Sequence, residues 1–383
     1  MAPDAIASVA PVYNPSPPAT AACASAIPRV LFCTRYVDHI QFALLGRLRS
    51  NATVQVLCST ENDWTKRLAS AGHLVRILRP RSRFDSEYKA LVSRMYTERP
   101  WDLVHCFHGN AELANLIRWA EGRIPIVAYR AYIGHLSLRE NPLMYWSVRN
   151  PGLDAVVAVS GAVKRYLDSF RWLKPRNVRV ISHGIDYEWM RSQTRSSYGL
   201  REKLGIGRNA LIVGVMANLR PYKRFDLVIR AAEQLPLVHF VHLGDDHGWR
   251  QRTAHLRNVH FLGPIAEPWS IIAEADVFAT TAHNEAFGRS NLEALACAKP
   301  LIGANSGGLL DLVEDGVNGR LFESTDAADF AAKILFYDRD RDAVRRHSVN
   351  AVHLVKGRLS ADTMAANYAD LYTDVLAARR ARA

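Results

Sequence analysis

The chain has 383 residues and a formal net charge of +12, and hydrophobic residues make up 49% of it. This length predicts two domains that each bury a core of their own, and the composition excludes a collagen-like or wholly disordered chain. The five cysteines show no CxxC spacing, which argues against a disulfide scaffold or a structural zinc site and favours buried thiols in a reducing compartment.

The first 27 residues differ in composition from the rest of the chain. They are rich in proline and alanine and contain neither Lys nor Arg. A secretory signal needs a basic start and an apolar stretch, and this segment has neither. We therefore predict a disordered tail over residues 1–27.

From residue 28 onward, short apolar runs alternate with amphipathic stretches, beginning with RVLFCT at 29–34. Helices are predicted over 41–50 and 86–99. Strands are predicted over 29–34, 53–59, 73–80, 102–107, 124–130, 154–160 and 177–182. Strands this apolar, separated by helices, are typical of a parallel sheet that is covered on both faces.

The same pattern restarts after a polar, weakly periodic stretch at 182–199. Here the predicted helices are 224–235 and 289–298, and the predicted strands are 209–219, 238–246, 259–265, 275–282 and 300–308. Because large sheets split into domains, we expect an α/β protein with a first domain over 28–186 and a second over 187–360. A final helix over 361–383 carries an apolar stripe that must pack on another surface.

The segment 281–308 concentrates polar residues where a predicted strand ends, which is where parallel sheets bind ligands. Gly288 allows a close approach of the backbone, and Arg289, Ser290 and Asn291 begin a helix. The free N–H groups and the positive end of a helix dipole form an anion site there, for which a phosphate is the natural ligand. Glu285 and Glu293, eight positions apart, are suited to bind sugar hydroxyls.

A second cluster follows the predicted strand 209–219. Arg220 and Lys223 lie three positions apart before a helix with an apolar face. Two cations at a strand end are suited to neutralise a diphosphate leaving group, although a solvated basic turn has the same sequence appearance.

Several co-linear motifs resemble those of the retaining glycosyltransferases of family 4. EAFGRSNLEALA at 285–296 resembles the E-x7-E signature of that family, and NLRPYKRFDLVIRAA at 218–232 is similar to its second signature. PLIGANSGGLLDLVEDGVNGRLFE at 300–323 is similar to the segment that normally follows. Looser similarity extends to DLVHCF, VVAVSGAVKRYL and SHGID in the first half.

The resemblance implies the GT-B fold, with two Rossmann-like, doubly wound parallel-sheet domains facing a cleft and the last helix crossing back to the first domain. It also implies a nucleotide-diphosphate sugar as the donor and no metal ion or other cofactor. Arg220 and Lys223 would hold the donor diphosphate, Glu285 would contact the transferred sugar and Glu293 would bind the ribose. The remaining donor-binding residues would be Gly288, Arg289, Ser290, Asn291, Ser306 and Gly307.

The chain departs from the family in its first half. The usual glycine pair after the first strand is missing, and Arg35, Tyr36, Asp38 and His39 stand in that region. Where the family often carries a functional histidine, this chain has Arg130. Either His135 or His108 is a candidate replacement, and the acceptor side is predicted to include Arg35, His108 and Arg130.

The distribution of charge suggests a partner for the first half. Residues 1–190 carry 24 Lys and Arg against 15 Asp and Glu, whereas residues 191–383 carry 25 against 22. Arg79, Arg81 and Arg83 precede the predicted helix 86–99. We predict a cytoplasmic enzyme that docks on the anionic inner face of the cytoplasmic membrane and glycosylates a saccharide or lipid-linked acceptor. An ordinary amphipathic helix and a soluble acceptor are the alternative.

Other functions fit the sequence less well. A dinucleotide oxidoreductase needs G-x-G-x-x-G after an early strand, and none is present. A nucleotide-sugar epimerase of related fold uses different carboxylates, and a pyridoxal-phosphate phosphorylase needs a much longer chain. No nucleic-acid-binding signature interrupts the α/β pattern, so nucleic acid is not expected as a partner.

Overall fold

The computed structural model describes residues 27–173 and 177–382. The predicted tail, apart from Ile27, lies outside the described residues, and so does Cys23. The other four cysteines are buried and free. None of the helices in the described ranges combines the length and the apolar composition needed to cross a membrane.

The first half of the chain folds around a seven-stranded sheet in the order β3-β2-β1-β4-β5-β6-β7, and every neighbouring pair is parallel. Its strands are β1 (Arg29–Thr34), β2 (Thr53–Cys58), β3 (Leu74–Ile77), β4 (Leu103–Cys106), β5 (Ile126–Arg130), β6 (Leu153–Ala158) and β7 (Asn177–Val180). The connecting helices are α1 (His39–Leu48), α2 (Asp63–Ser70), α3 (Ser86–Glu98), α4 (Asn110–Ala120), α5 (Pro142–Arg149) and α6 (Gly161–Asp168). The central strands β1, β4 and β5 are almost wholly buried, as their continuous apolar sequences predict.

The second half folds around a six-stranded parallel sheet in the order β10-β9-β8-β11-β12-β13. Its strands are β8 (Ile212–Met216), β9 (His239–Leu243), β10 (Val259–Gly263), β11 (Val277–Thr280), β12 (Leu301–Ala304) and β13 (Gly319–Phe322). Two helices, α7 (Tyr187–Gln193) and α8 (Leu200–Leu204), precede this sheet. The others are α9 (Phe225–Gln234), α10 (Trp249–Arg252), α11 (Trp269–Glu274), α12 (Arg289–Ala296), α13 (Ala327–Arg339), α14 (Arg341–Lys356) and α15 (Ala361–Arg380).

The last helix, α15, returns to the first sheet and packs along α1, which confirms the predicted crossing. Its stripe of Met364, Tyr368, Leu371 and Val375 is buried. The hydroxyl of Tyr372 lies 2.7 Å from Nδ1 of His105 on β4. A buried helix face of this kind ties the end of the chain to the first domain.

The predicted strands and helices are present and differ from the structure at their ends, whereas several helices, among them α2, α4 and α6, were not predicted. The strand predicted over 209–219 ends at Met216, because the residues after it turn outward into a loop. The polar stretch 182–199 contains α7, whose start is capped by the Asp186 carboxylate accepting from the N–H of Trp189. Strand β13 and helices α13 and α14 lie between the last predicted strand and the final helix, where the sequence pattern predicts no element.

In each sheet the strands run parallel, so the loops after their carboxyl ends lie along one edge. The carboxyl edges of the two sheets face one another across a cleft.

Candidate functional site

An open cavity of about 840 Å³ separates the two sheets. Its wall on the side of the first sheet comes from the loops that follow β1, β4, β5, β6 and β7, together with the start of α2. Its opposite wall comes from the loops that follow β8, β10 and β11, and from α12. The cavity therefore occupies the carboxyl edges of both sheets, where α/β proteins bind ligands.

Two cations predicted from the sequence enter the cavity after β8. A short 3-10 segment, Pro221–Lys223, turns the chain so that both Arg220 and Lys223 line the cleft. Nζ of Lys223 lies 2.5 Å from Oε2 of Glu285, which follows β11. Arg220 is exposed at the rim and takes part in no ion pair among the described residues. The predicted grouping of Arg220, Lys223 and Glu285 is therefore present in the structure.

The amino end of α12 opens into the same cavity. Gly288 has φ +77°, and a Cβ there would lie 2.3 Å from the side-chain nitrogen of Asn291, so the position requires glycine. No side chain in the described part of the chain caps this end of the helix, and Gly288, Arg289 and Ser290 line the cleft. An uncapped helix start presents its N–H groups and positive dipole to an anion. Asn291 does not line the cleft, because its side chain is buried and donates to the carbonyl of Phe287.

An ion pair joins the two walls of the cleft. The guanidinium of Arg289 contacts the carboxylate of Asp38, which caps α1 by accepting from the N–H groups of Ile40 and Gln41. Burial alone would raise the pKa of Asp38, but the positive charge of Arg289 holds it below its usual value. The pairing also raises the pKa of Arg289 against the effect of burial, so both groups are charged at neutral pH.

Glu293 lies one helical turn beyond Arg289 on α12 and is largely buried. Burial raises the pKa of its carboxyl group to about 7, although the nearby Arg289 opposes that shift. Its Oε1 lies 3.3 Å from Nε2 of His39, the first residue of α1. Glu293, which is predicted to bind a ribose, therefore contacts a residue of the first domain.

His108, which follows β4, has a defined hydrogen-bond environment. The side chain of Gln41 accepts from the N–H of Asp38 through Oε1, so its Nε2 donates to Nδ1 of His108 at 2.9 Å. This donation leaves the proton of the neutral imidazole on Nε2. The ring stacks on Tyr36 with centroids 5.0 Å apart, and burial lowers the pKa of His108 to about 4.

His183, which follows β7, is a further histidine in the wall of the cleft. Its Nε2 lies 2.8 Å from the hydroxyl of Tyr129, and its ring meets the edge of Phe287. Burial lowers the pKa of His183 to about 3, so the ring is neutral. His183 thus brings the first sheet into contact with the loop that carries Glu285.

The glycine loop after β12 contacts the backbone of the loop that carries Glu285. The N–H of Gly308 donates to the carbonyl of Glu285 at 2.7 Å, and a Cβ on Gly307 would lie 2.5 Å from that same oxygen. The hydroxyl of Ser306 accepts from the N–H of Asn284. Ser306 and Gly307 therefore hold the backbone of the Glu285 loop and are not part of the cavity wall.

Three candidates from the first half also lie outside the cavity wall. Arg35 is exposed. Arg130 is buried and donates to the carbonyls of Tyr132 and Gly134, so it braces the loop that carries Tyr132. His135 is exposed, with Nδ1 3.8 Å from a carboxylate oxygen of Glu140. Of the histidines considered for the first domain, His108 is the one that lines the cleft.

Two histidines of the cleft without a predicted role, His39 and His183, lie in recognisable sequence patterns. Asp38 followed three positions later by Gln41 is a capping-box pattern, which marks the start of α1 and so places His39 at a helix end. His183 lies in the SHGID motif, one of the segments of looser similarity to the family. The pairing of these residues across the cleft has no local signal, because Asp38 and Arg289 are 251 positions apart.

Within residues 27–173 and 177–382, no three His, Cys, Asp or Glu side chains are grouped so that they could hold a metal ion. The cations that line the cleft are protein side chains: Arg67, Arg220, Lys223 and Arg289.

Comparison with protein families identifies two consecutive matches. The model described as Glycosyltransferase Family 4 matches residues 42–189, and the model described as Glycosyl transferases group 1 matches residues 199–352. Together they cover the second sheet and all strands of the first sheet except β1.

Curated relatives match over part of their length. A D-inositol 3-phosphate glycosyltransferase of Thermomonospora curvata is 30% identical over 281 residues, which are 66% of this chain and 61% of that protein. A D-inositol 3-phosphate glycosyltransferase of Mycolicibacterium gilvum is 33% identical over 171 residues, 41% of this chain and 38% of that protein. The chain thus spans about three fifths or less of the length of these relatives.

Solved structures share the fold over most of the chain. Anabaena Alr3699/HepE in complex with UDP-glucose aligns with a TM-score of 0.73 at 22% identity, covering 91% of this chain and 100% of that one. A glycosyltransferase from Rickettsia africae aligns with a TM-score of 0.75 at 18% identity, covering 91% and 98%. At these identities the likeness shows the fold, which is GT-B as the sequence predicted.

The buried histidines of the cleft predict a loss of stability in acid. The pKa values of His39 and His108 are lowered to about 4, and that of His183 to about 3. Because these values lie below those of the unfolded chain, the unfolded state binds more protons as the pH falls below about 6.5. Each of these histidines then removes up to about 2 kcal/mol of stability between pH 6.5 and pH 5, while protonation of Glu293 acts in the opposite direction.

Urea unfolding followed by circular dichroism at pH 7 and pH 5 measures this effect. We expect a lower unfolding midpoint at pH 5, and a smaller decrease in a His108→Gln variant, which has one fewer group to protonate. Equal midpoints at the two pH values would contradict the burial of neutral imidazoles in the cleft.

Proposed function

We propose that this chain, which belongs to the glycosyltransferases of GT-B fold, moves a sugar from a nucleotide-diphosphate sugar to a hydroxyl group of a saccharide-type acceptor. The observation that carries the proposal is the set of charged groups on the carboxyl edge of the second sheet. Arg220, Lys223 and Arg289 bring three cations, and Glu285 and Glu293 bring two carboxylates, to one wall of an 840 Å³ cleft.

These groups match the parts of a nucleotide-diphosphate sugar. In the proposal, the diphosphate binds between the three cations and the uncapped start of α12 at Gly288 and Ser290. Glu293, deeper in the cleft, accepts hydrogen bonds from the ribose, and Glu285 accepts them from the sugar that is transferred. The second domain, residues 187–360, is then the donor-binding domain.

The proposed reaction retains the configuration of the sugar, as in family 4. The bond between the sugar and the diphosphate breaks first, and positive charge develops on the sugar ring. Arg220, Lys223 and Arg289 stabilise the negative charge that accumulates on the departing diphosphate. The acceptor hydroxyl attacks from the face on which the diphosphate lies, and the diphosphate takes the hydroxyl proton.

The acceptor is proposed to enter against the first domain, residues 28–186. Tyr36, His108 and Tyr132 line that part of the cleft. Aromatic faces and an Nε2–H donor suit a hydroxyl-rich ring, which is the chemistry of a saccharide. Water must be excluded while the sugar is transferred, so we propose closure of the two domains about the segment 183–199.

The first prediction from this assignment concerns the donor. Glu293→Gln and Lys223→Ala remove charged contacts to the ribose and the diphosphate, so each is expected to weaken nucleoside diphosphate binding about ten- to a hundredfold. UDP is the first probe, because structures of HepE are complexes with UDP and with UDP-glucose. Calorimetry measures the affinity, and GDP and ADP are tested in the same way.

The matched control is Arg230→Ala, which removes an exposed cation from α9 outside the cavity wall. Its affinity for the nucleotide should equal that of the wild type. If Glu293→Gln and Lys223→Ala also bind every nucleotide as tightly as the wild type, the donor site is not where we place it.

The second prediction concerns metal ions. Arg220, Lys223 and Arg289 supply the positive charge that a divalent cation would otherwise bring to the leaving diphosphate. Sugar transfer is therefore expected to proceed at full rate in excess EDTA. Activity that disappears with EDTA and returns with Mn²⁺ would refute a metal-independent reaction.

The third prediction concerns a membrane surface. The edge strand β3 exposes Leu74 and Ile77, and the loop after it exposes Phe84, whose ring lies between the guanidinium groups of Arg83 and Arg118 at 4.8 and 4.1 Å. This loop follows the carboxyl end of β3, so it lies on the edge of the sheet that faces the cleft. Exposed apolar groups surrounded by arginines suit an anionic lipid surface.

We therefore propose that the loop 78–85 docks on anionic lipid and brings the cleft to a lipid-linked acceptor. Replacing Arg79, Arg81 and Arg83 by Ser should remove most of the sedimentation with vesicles that contain anionic lipid. Replacing three exposed arginines of the second half, Arg195, Arg208 and Arg230, by Ser lowers the net charge equally and should leave sedimentation unchanged. Equal recovery in the supernatant with neutral and anionic vesicles would instead favour a soluble acceptor.

A further inference from the structure

The first helix of the first domain contacts two of the proposed donor-binding residues. Asp38 and His39, at the start of α1, lie against Arg289 and Glu293, which are four positions apart on α12. Residues four apart share one face of a helix, so two adjacent residues of the first domain meet one face of α12. Asp38 forms a close ion pair with Arg289. His39 lies farther from its neighbour, with Nε2 3.3 Å from Oε1 of Glu293.

The position of His39 leaves its Nε2 with one polar neighbour. This nitrogen is buried and has no hydrogen-bond partner of good geometry among the described residues, yet it lies 3.3 Å from Oε1 of Glu293. A buried polar atom that is left unpaired costs free energy. A slight approach of α1 and α12 would pair this nitrogen with Oε1.

Aromatic rings hold the imidazole of His39 in this orientation. Trp189 on α7 stacks on it with centroids 5.5 Å apart, and Trp269 on α11 meets it edge to face at 5.5 Å. Trp64 on α2 lies 6.2 Å away. These three tryptophans come from both sides of the cleft, so they restrict the ring to a position beside Glu293.

The electrostatic state of the ring is suitable for donation. Burial lowers the pKa of His39 to about 4, so the imidazole is neutral and carries one proton. The carboxyl group of Glu293 has a pKa of about 7, and in its ionised form, which prevails above that pH, it only accepts. The tautomer with the proton on Nε2 is the one that satisfies both groups. It also supports the ionised form of Glu293 against the effect of burial.

We propose that His39 is a positioning residue of the donor site: its Nε2–H group donates to Oε1 of Glu293 and orients the carboxylate so that Oε2 is presented to the ribose hydroxyl groups. This inference rests on the proposed function, because it takes Glu293 as the ribose ligand. Since His39 belongs to the first domain and Glu293 to the second, nucleotide affinity then depends on how closely the two walls of the cleft approach.

A matched pair of variants separates donation from packing. His39→Gln places an amide N–H at about the position of Nε2, whereas His39→Phe keeps an aromatic ring between the tryptophans but has no donor. We expect His39→Phe to weaken UDP binding about tenfold in calorimetry and His39→Gln to stay within about threefold of the wild type. GDP replaces UDP as the probe if it binds more tightly.

Three further readouts exclude a merely structural effect. The His39→Phe/Glu293→Gln double variant should bind UDP no more weakly than Glu293→Gln alone, because the proton donor has lost its charged partner. With the nucleotide sugar, His39→Phe should raise the donor KM while kcat changes little. Inorganic pyrophosphate, which has no ribose, should bind both His39 variants like the wild type.

The control is His347→Phe, which replaces a buried histidine that pairs with the hydroxyl of Tyr337 away from the cleft. It is expected to lower the thermal midpoint without changing UDP affinity. If Glu293→Gln weakens UDP binding and His39→Phe does not, the role of His39 is refuted and the proposed function stands. If equal losses occur in His39→Phe and His39→Gln, packing explains them and the inference is again refuted. If the wild type binds no nucleoside diphosphate, the proposed function and this inference both fail.

Discussion

The charge balance of the cleft depends on two ion pairs, Asp38–Arg289 and Lys223–Glu285. Lys223, Glu285 and Asp38 are largely buried, and a lone charge there would be costly, whereas the side chain of Arg289 is 45% exposed. An anionic ligand must therefore compete with a protein carboxylate for Lys223 and for Arg289, whereas Arg220 has no carboxylate partner among the described residues.

The two ion pairs form only if the surrounding backbone is held in position. The loop that carries Glu285 is held by the close approach of Gly307 and Gly308 to its carbonyl oxygens. The start of α12 depends on Gly288, whose positive φ directs Arg289 toward Asp38. On the other wall, the capping box of Asp38 and Gln41 fixes both the carboxylate and the tautomer of His108. Small displacements of these backbones would separate the charges.

Much of this could be predicted from the sequence, because it depends on local patterns. Apolar runs with helices between them indicate two parallel sheets, and polar residues after the strands indicate the functional edge. Arg220, Lys223, Glu285, Gly288, Arg289, Ser290 and Glu293 all lie where that reasoning placed them, in the wall of one cavity. Their catalytic and binding roles stay predictions.

The parts that could not be predicted depend on contacts between distant residues or on the direction of a side chain. Arg130 follows a strand as a ligand-binding residue would, yet its guanidinium turns back to the carbonyls of its own loop. Asn291 lies in the first turn of α12 but on the side that faces the protein interior. Sequence position specifies the helix turn, whereas the packing of the neighbouring Gly288 and Phe287 decides which way the side chain points.

The chain crosses between its two halves twice, near Ile185 and near Ser360, and these crossings also constrain the site. Ile185 pairs with Ser360 as an isolated bridge, so the described segments that leave and re-enter the first half lie side by side. Gly184 is required there, because a Cβ would lie 2.1 Å from the carbonyl of Ser360, and Arg47 of α1 joins both crossings through Asp186 and Asp362. In the proposed closure of the domains, these two adjacent crossings would act as one pivot. Since α1 carries Arg47 near one end and Asp38 and His39 at the other, any rotation about the pivot moves these two residues relative to α12. The first helix thus connects the proposed hinge to the charged cleft.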